Sequence, residues 1–405
     1  MAEQDRLPVV VVDRVGWAFY HDLDGRPFLP ADRFEVRLVT GRDKLADAHG
    51  DELAAVVAVP RQDHQTFAQA ALLLARAGTR PAARIAAVTE RYLLPVAELR
   101  EELGLPGMTV EQTLRFRDKV AMKEHLQGKG IRLPDFAPYS SEAARRLLAR
   151  HGTVVAKPRR GAGAAEVSVL RTSADIEEFE QLRAGRFDEF EVEEFVRGRV
   201  FHVDSVVDRG RVIAAIAGDA IDDNRSFETG APFRDIGVPP GPVLDELLAF
   251  NAKVIAAHPD FMGVTHHEIF AGEGETCFCE IAARAGGGGI LAGFRDRTGC
   301  NLDEVVLSSQ LLDSVPQQIE VADHLTGYFG LYAGPGTVLS MPPIPDEDWV
   351  IETQLIAQPG DVLGAPSDFG DSVVLVSVRG DTAVQVKERI DQLIERMSPQ
   401  IVLAR

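Results

Sequence analysis

The chain has 405 residues, 45% hydrophobic and 26% charged, values that exclude a disordered, collagen-like or fibrous protein and suit two to four domains at roughly 100 to 200 residues each. Its 62 acidic and 43 basic residues leave a net charge of −19, which repels a nucleic-acid backbone or an anionic bilayer surface. No apolar run reaches the roughly 18 residues needed to span a bilayer, no secretory signal opens the sequence, and three cysteines cannot all pair, so a cytoplasmic protein without nucleic-acid or membrane partners is expected.

Pro8 to Asp13 reads as a buried parallel strand, and residues 34–39 and 54–59 repeat its apolar character. Thr66 to Ala77 sets Phe67, Ala70, Ala71, Leu74 and Ala77 on one helical face, and Ile85 to Val88 returns as a strand. Residues 1–112 therefore read as a doubly wound α/β domain, although no G-x-G-x-x-G follows Val12 to support dinucleotide binding. A helix over Asp118–Gln127 stops at Gly128-Lys129-Gly130. An α+β piece follows, with strands at 153–157, 166–170 and 190–195 and a helix capped by Ser173, so that residues 113–198 form a second unit. Strands His202–Asp208 and Arg211–Ala217 meet at an Arg209-Gly210 turn. Gly218 to Gly241 reads as a long loop, and loops of that length in compact domains are usually functional. A helix over Val243–Ala257, a hairpin and a helix ending near Asp313 complete a unit over 199–315; residues 316–405 read as a lobe of short strands that closes with a helix over Thr382–Met397.

The hairpin is the most informative segment. A turn symmetric about Gly274 sets Glu268 opposite Glu280. Cross-strand Cβ atoms lie about 4.5 to 5.5 Å apart, where like charges destabilise unless a cation lies between them. Magnesium, which prefers hard oxygen ligands, is such a cation; two solvated glutamates on an exposed face are the alternative. Removing either charge is expected to relieve repulsion in the metal-free protein. Beyond the strand stand Arg284 and the run Gly286–Gly289, a cation and a backbone free to approach an anion closely. Lys157 ends another strand before the small-residue loop Gly161-Ala162-Gly163, which can wrap phosphates but lacks the Gly-Lys-Ser/Thr of a P-loop. His266 and His267 precede Glu268, and alternation sends only one of them to its side, where a structural role competes with a chemical one. Cys277-x-Cys279 reads as a packed strand face, since no second pair accompanies it.

Together these pieces resemble the ATP-grasp superfamily, and more closely its carboxylate–amine ligases, over roughly residues 80 to 315. The resemblance implies ATP and Mg2+ as cofactors, with Mn2+ as an alternative metal, and an ATP-clamping pair of α+β lobes between the N-terminal domain and a C-terminal extension. Lys119 is similar to the first nucleotide lysine of the family and Lys157 to the second, with Gly161 and Gly163 in a loop that closes over phosphates. The segment Glu191 to Val196 resembles the strand and hinge that receive adenine, placing Glu193 near the exocyclic amine and Phe195 and Val196 along the ring. Glu268 and Glu280 match the metal carboxylates, Arg284 the arginine that neutralises an acyl phosphate, and Gly287 and Gly288 the glycines beside the substrate. Glu228, in Phe227-Glu228-Thr229-Gly230, resembles a glutamate that reads a substrate amino group. Four positions depart from the pattern: Ala282 replaces an asparagine metal ligand, Val200 a ribose-binding glutamate for which His202 could substitute, Ala164 a loop serine and Ala231 a substrate-site histidine. The implied activity is ADP-forming C–N ligation of a small carboxylate, an amino acid or a relative of one, to an amine, with Arg284, Glu280 and Lys157 catalytic. Carboxylation, simple phosphotransfer and noncatalytic nucleotide binding are the competing activities, and homodimerisation is left open.

Overall fold

The computed structural model describes residues 6–48, 50–60, 64–161, 163, 166–222, 229–272 and 274–404. The N-terminal unit is a four-stranded parallel sheet of β1 (Leu7–Val12), β2 (Phe34–Gly41), β3 (Ala55–Val59) and β4 (Arg84–Ala86), in the order β3-β2-β1-β4. Val9, Val10 and Val11 are fully buried because both sheet faces are covered. Helices α1 (His64–Arg76) and α2 (Glu90–Leu103) pack on one face, through Phe67, Leu74, Tyr92 and Val96. The other face is closed by Trp17, Tyr20 and by Leu302, Val305 and Val306, which come from a helix more than two hundred residues later.

The chain continues through α3 (Val110–Leu114) into α4 (Lys119–Leu126), where the Asp118 carboxylate accepts hydrogen bonds from the amides of Val120 and Ala121. An antiparallel lobe follows, made of β5 (Phe136–Pro138), α5 (Ser141–His151), β6 (Val154–Pro158), β7 (Ser168–Leu170), α6 (Ser173–Leu182) and β8 (Phe190–Glu194), with strand order β5-β8-β6-β7. The cap of α6 is Thr172, one residue before the expected Ser173; Thr172 can close a reciprocal capping box with Asp175, three residues on, and Ser173 becomes the first helical residue.

Eight of the remaining strands build one antiparallel sheet. The first of them in the chain, β9 (Arg199–Asp208) and β10 (Arg211–Ala220), meet at Arg209-Gly210, both with positive φ (45° and 75°), as a two-residue hairpin turn requires. The expected long loop is shortened from both ends: β10 runs on to Ala220, and β11 (Phe233–Gly237) pairs with it through Asp235, Ile236 and Gly237. Then come α7 (Pro242–Ala256), β12 (Gly263–Ala271), β13 (Cys277–Ala282), α8 (Ile290–Thr298) and α9 (Leu302–Leu312), the helix that covers the N-terminal sheet. Past residue 316 the chain does not leave this sheet. Strands β14 (Leu325–Leu331), β16 (Val350–Leu355) and β18 (Val374–Gly380) extend it, backed by α10 (Ala383–Met397). Only β15 (Gly336–Ser340), β17 (Val362–Leu363) and β19 (Val402–Ala404) stand apart, in a three-stranded sheet. Among the described residues, no helix is long and apolar enough to cross a membrane, and all three cysteines are free.

One buried group makes this core sensitive to acid. His258 packs against Phe116, its Nε2 has no partner, and burial pushes the imidazole down to about 3. Its folded pKa lies below its unfolded value, so its contribution is complete above about pH 6.5 and is lost as pH falls toward 3, at about 1.4 kcal/mol per unit. Urea unfolding measured between pH 6 and 4 should show this slope, and His258→Phe should reduce it by about 1.4 kcal/mol per unit, leaving the share of His267, whose imidazole burial also pushes down to about 3.

Candidate active site

A cleft of about 590 Å3 lies between the β5–β8 lobe and the eight-stranded sheet. It gathers residues that the sequence scatters over 170 positions. Lys119, Lys157, Gly161 and Gly163 line it, as do Glu193, Phe195 and Val196, the strand residues His202, Glu268 and Glu280, and Arg284 with Gly287. Gly288 lies just beneath its wall. Glu228, like Ala162, Ala164 and Ala165 of the phosphate loop, lies outside the described residues.

Glu268 and Glu280 are register partners, as the hairpin arithmetic requires. The symmetry ends there: a bulge after Glu268 shifts the pairing so that Ile269 faces Phe278, and Cys279 turns toward the cleft. Between the carboxylates and the lobe stands Lys119, whose Nζ lies 2.7 Å from Glu280 Oε2 and donates to the Gly161 carbonyl at 2.9 Å. It reaches them from the first residue of α4. Burial raises the Glu280 carboxyl, but Lys119 and Lys157 overcome this and hold it below the usual range. Glu268 is less engaged, with His266 Nε2 at 3.7 Å and the Cys279 thiol at 3.8 Å as its polar neighbours. Two facing carboxylates, one with oxygens to spare, suit a hard divalent cation. Ala282, at 6% exposure, adds no donor.

Lys157, the last residue but one of β6, lies 2.6 Å from Glu193 Oε1. Lys123, one helical turn beyond Lys119, is fully buried and lies 2.6 Å from Glu191, while also bonding Glu193. Alternation along β8 turns both glutamates to the same side, where two lysines from different elements meet them. Burial alone would pull the Lys157 ammonium down; Glu193 outweighs it, and Lys157 stays charged well above its ordinary range. The Glu193 carboxylate, expected near an adenine amine, is thus held between two ammonium groups. Lys123 carries no motif of its own, and only its helical spacing from Lys119 marks it.

Arg284 lies past β13. Its Nε donates to Glu90 Oε2 at 2.8 Å and its Nη1 to the Ala285 carbonyl at 2.7 Å. Glu90 is the first residue of α2, in the N-terminal domain, and its second oxygen accepts from Arg117. Burial disfavours the Glu90 carboxylate, yet Arg284, Arg117 and Lys119 bring it down to about 2. Sequence reasoning missed Glu90, because no local pattern ties residue 90 to residue 284. Glu90→Gln should leave ATP affinity near wild type and lower turnover about 10-fold, as loss of an orienting partner does; separate measurements of kcat and of KM for ATP check this.

The glycine run is packed. A Cβ on Gly286 would come within 2.6 Å of Asp204 Oδ1, one on Gly288 within 2.7 Å of the Tyr328 ring and one on Gly289 within 2.4 Å of Tyr328 Cβ. Gly287 alone meets nothing within 4 Å and opens on the cleft. Gly289 caps α8, a helix the sequence reading had not anticipated.

Behind the glycines lies a polar network. Asp204 accepts from His202 Nδ1 at 2.6 Å, from His266 Nδ1 at 3.0 Å and from the Gly286 amide at 3.2 Å, and His202 Nε2 bonds Asp235 at 3.0 Å. Burial opposes charge on His202, but Asp235 and Asp204 hold the imidazole protonated well above its ordinary range. Both ring nitrogens of His202 are thus engaged by carboxylates, and the residue lines the cleft beside Asp235. His202, Asp204 and His266 also form a compact set of potential metal donors. Hydrogen bonds through Asp204 join the three side chains.

No family model matches the chain. The L-arginine-specific L-amino acid ligase of Bacillus subtilis is 26% identical over 302 residues, 70% of this chain and 71% of the relative. Among solved structures, an L-amino acid ligase from Bacillus licheniformis superposes with a TM-score of 0.73 at 17% identity, covering 99% of this chain and 100% of the other. The biotin carboxylase domain of the Hydrogenobacter thermophilus 2-oxoglutarate carboxylase, solved with MgADP and bicarbonate, reaches 0.73 at 15% identity over 98% and 91%. A carboxyaminoimidazole ribonucleotide synthase from Aspergillus clavatus with ATP reaches 0.69 at 15% over 98% and 99%. The chain thus has the ATP-grasp fold of these solved structures, and its cleft, with two lysines, paired carboxylates and an arginine before a glycine run, belongs to a protein similar in sequence to an L-amino acid ligase.

Proposed function

We propose that the chain joins the carboxylate of an amino acid to an amine, with ATP cleaved to ADP and phosphate through an acyl phosphate. A carboxylate oxygen attacks the γ-phosphorus, the bond to the β-phosphate oxygen breaks and ADP leaves. The amine nitrogen then attacks the acyl carbon, the bond to the phosphate oxygen breaks, and phosphate departs as the amine gives up a proton. Both steps depend on positioning and charge neutralisation more than on a protein nucleophile.

Lys119 and Lys157 hold the α and β phosphates in this reading, trading their present carboxylate partners for phosphate oxygens. Glu268 and Glu280 hold magnesium, which when bound neutralises charge on the β and γ phosphates. Phe195, Val196 and the hinge backbone receive the adenine, with Glu193 acting through Lys157. Arg284, flanked by open Gly287, meets the acid and the transferred phosphoryl group, while Glu228 would read the amino group.

The observation that carries the reading is the charged Arg284, braced by Glu90 at 2.8 Å and lining the same cleft as both lysines and both carboxylates. A nucleotide sensor needs the lysines but has no use for that arginine. Purified protein with Mg-ATP and pairs of amino acids should give amide, ADP and phosphate in equal amounts, by mass spectrometry and a coupled assay. ADP formation that never depends on an amine would favour simple phosphotransfer instead.

A further inference from the structure

We propose that the end of the cleft beyond Asp235 is a pocket for an uncharged, apolar side chain, so that the acid-donating amino acid is of the leucine, methionine or phenylalanine kind; this inference rests on the ligase reading above. Across the cleft face of the large sheet the side chains change character strand by strand. The register runs from Glu280 on β13 to Glu268 on β12 and His202 on β9, and on to Gly218 of β10. Two residues further along β10, Ala220 faces Asp235 of β11, which in turn faces Tyr328 of β14. Alternation places Phe233 on the same side as Asp235. The metal end of the face is thus carboxylate, its middle an Asp–His network and its far end apolar.

Phe233 and Tyr328 lie with ring centroids 6.0 Å apart and pack with Ala220 and Ile290 in one apolar cluster, and all four line the cleft. Tyr328 also lies under Gly288 and Gly289, so this wall adjoins the loop that follows Arg284. A substrate carboxylate at Arg284 and Gly287 has its side chain within reach of it.

The charges nearby are already matched. Asp235 lies 3.0 Å from His202, Asp219 lies 2.6 Å from Arg199, and Asp222 lies 2.8 Å from Arg234. Among the described residues of these strands, no carboxylate is left over for a guanidinium or ammonium. A cationic side chain would lose its hydration here without gaining a partner among the described residues, whereas an apolar one gains burial. The arginine specificity in the name of the Bacillus subtilis relative is therefore not expected to extend to this chain.

The test uses the full chain with Mg-ATP and glycinamide, an amine that cannot itself act as the acid. Leucine, methionine and phenylalanine are compared with arginine, lysine and glutamate by ADP formation and product mass. The apolar acids should exceed the charged ones by about 100-fold in kcat/KM, the scale on which a pocket discriminates between side chains. Ile290→Asp should lower kcat/KM for leucine at least about 10-fold and raise that for arginine, with ATP affinity within about twofold of wild type. Arginine or lysine as the preferred acid, or a substrate profile unmoved by Ile290→Asp, would overturn the pocket and leave the ligase reading standing. An amide product from none of these acids, in a protein that binds Mg-ATP, would instead remove the ligase reading and this inference with it.

Discussion

Glu268→Gln and Glu280→Gln should each lower Mg-ATP-dependent turnover by about 10³-fold or more, the several kcal/mol of charge stabilisation that a lost metal site removes. Their effects on the metal-free protein should differ. From the sequence, two facing carboxylates repel, and removing either was expected to stabilise. The structure supplies a cation on one side only: Lys119 lies 2.7 Å from Glu280, with its side chain 8% exposed. Glu280→Gln leaves that ammonium with neutral acceptors only, the new amide oxygen and the Gly161 carbonyl, at a cost of about 1 to 3 kcal/mol, less than for a wholly buried pair because Glu280 is 23% exposed. Glu268 has no such partner, so Glu268→Gln should hold apo stability or raise it by up to about 1 kcal/mol. Urea unfolding without metal separates the two variants, and magnesium-dependent ADP formation near wild type in either would contradict the metal assignment.

Arg284→Ala should lower turnover by about 10² to 10³, or roughly 3 to 4 kcal/mol, by analogy with the loss of one preorganised donor to a developing anion. Nucleotide affinity should change far less, because the lysines lie on α4 and β6 and their carboxylate partners are Glu280 and Glu193, while Arg284 bonds Glu90. Lys should substitute poorly: a guanidinium grips two oxygens in one plane, and an ammonium is a point charge. Glu90 sharpens the expectation, since it already fixes the guanidinium through Nε and lysine has no equivalent group. Single-turnover kinetics at saturating ATP measure the chemical step. A collapse of ATP affinity with turnover intact would make Arg284 a nucleotide anchor.

The residues legible in the sequence were those whose neighbours are local or set by strand period. The Glu268–Glu280 pair followed from hairpin register, which a turn fixes over a dozen residues. Lys157 and Arg284 were legible because each stands near the end of a strand before a glycine-containing loop, and Lys119 through the resemblance of its segment to the family. Glu90, Lys123, Asp204 and Asp235 were not, since each acts through a partner that only tertiary packing brings near: Glu90 meets Arg284 across 194 positions, and Lys123 meets Glu191 across 68. The fold divides the same way. The parallel strands announced themselves as valine runs, whereas the closing of their second face by α9, and the continuation of the large sheet past residue 316, depend on contacts without a local signal. Strand β11 was hidden because its Arg234, Asp235 and Gly237 suit a loop as well as a short strand between two others.

The central claim is that the acid is activated by direct phosphorylation. It is tested most directly with an amino acid labelled with 18O in both carboxylate oxygens, incubated with Mg-ATP, an amine and the enzyme. The account predicts ADP as the nucleotide product, one 18O in the phosphate released for each amide formed, and one left in the amide carbonyl. Unlabelled phosphate, or AMP carrying the 18O in place of ADP, would contradict it.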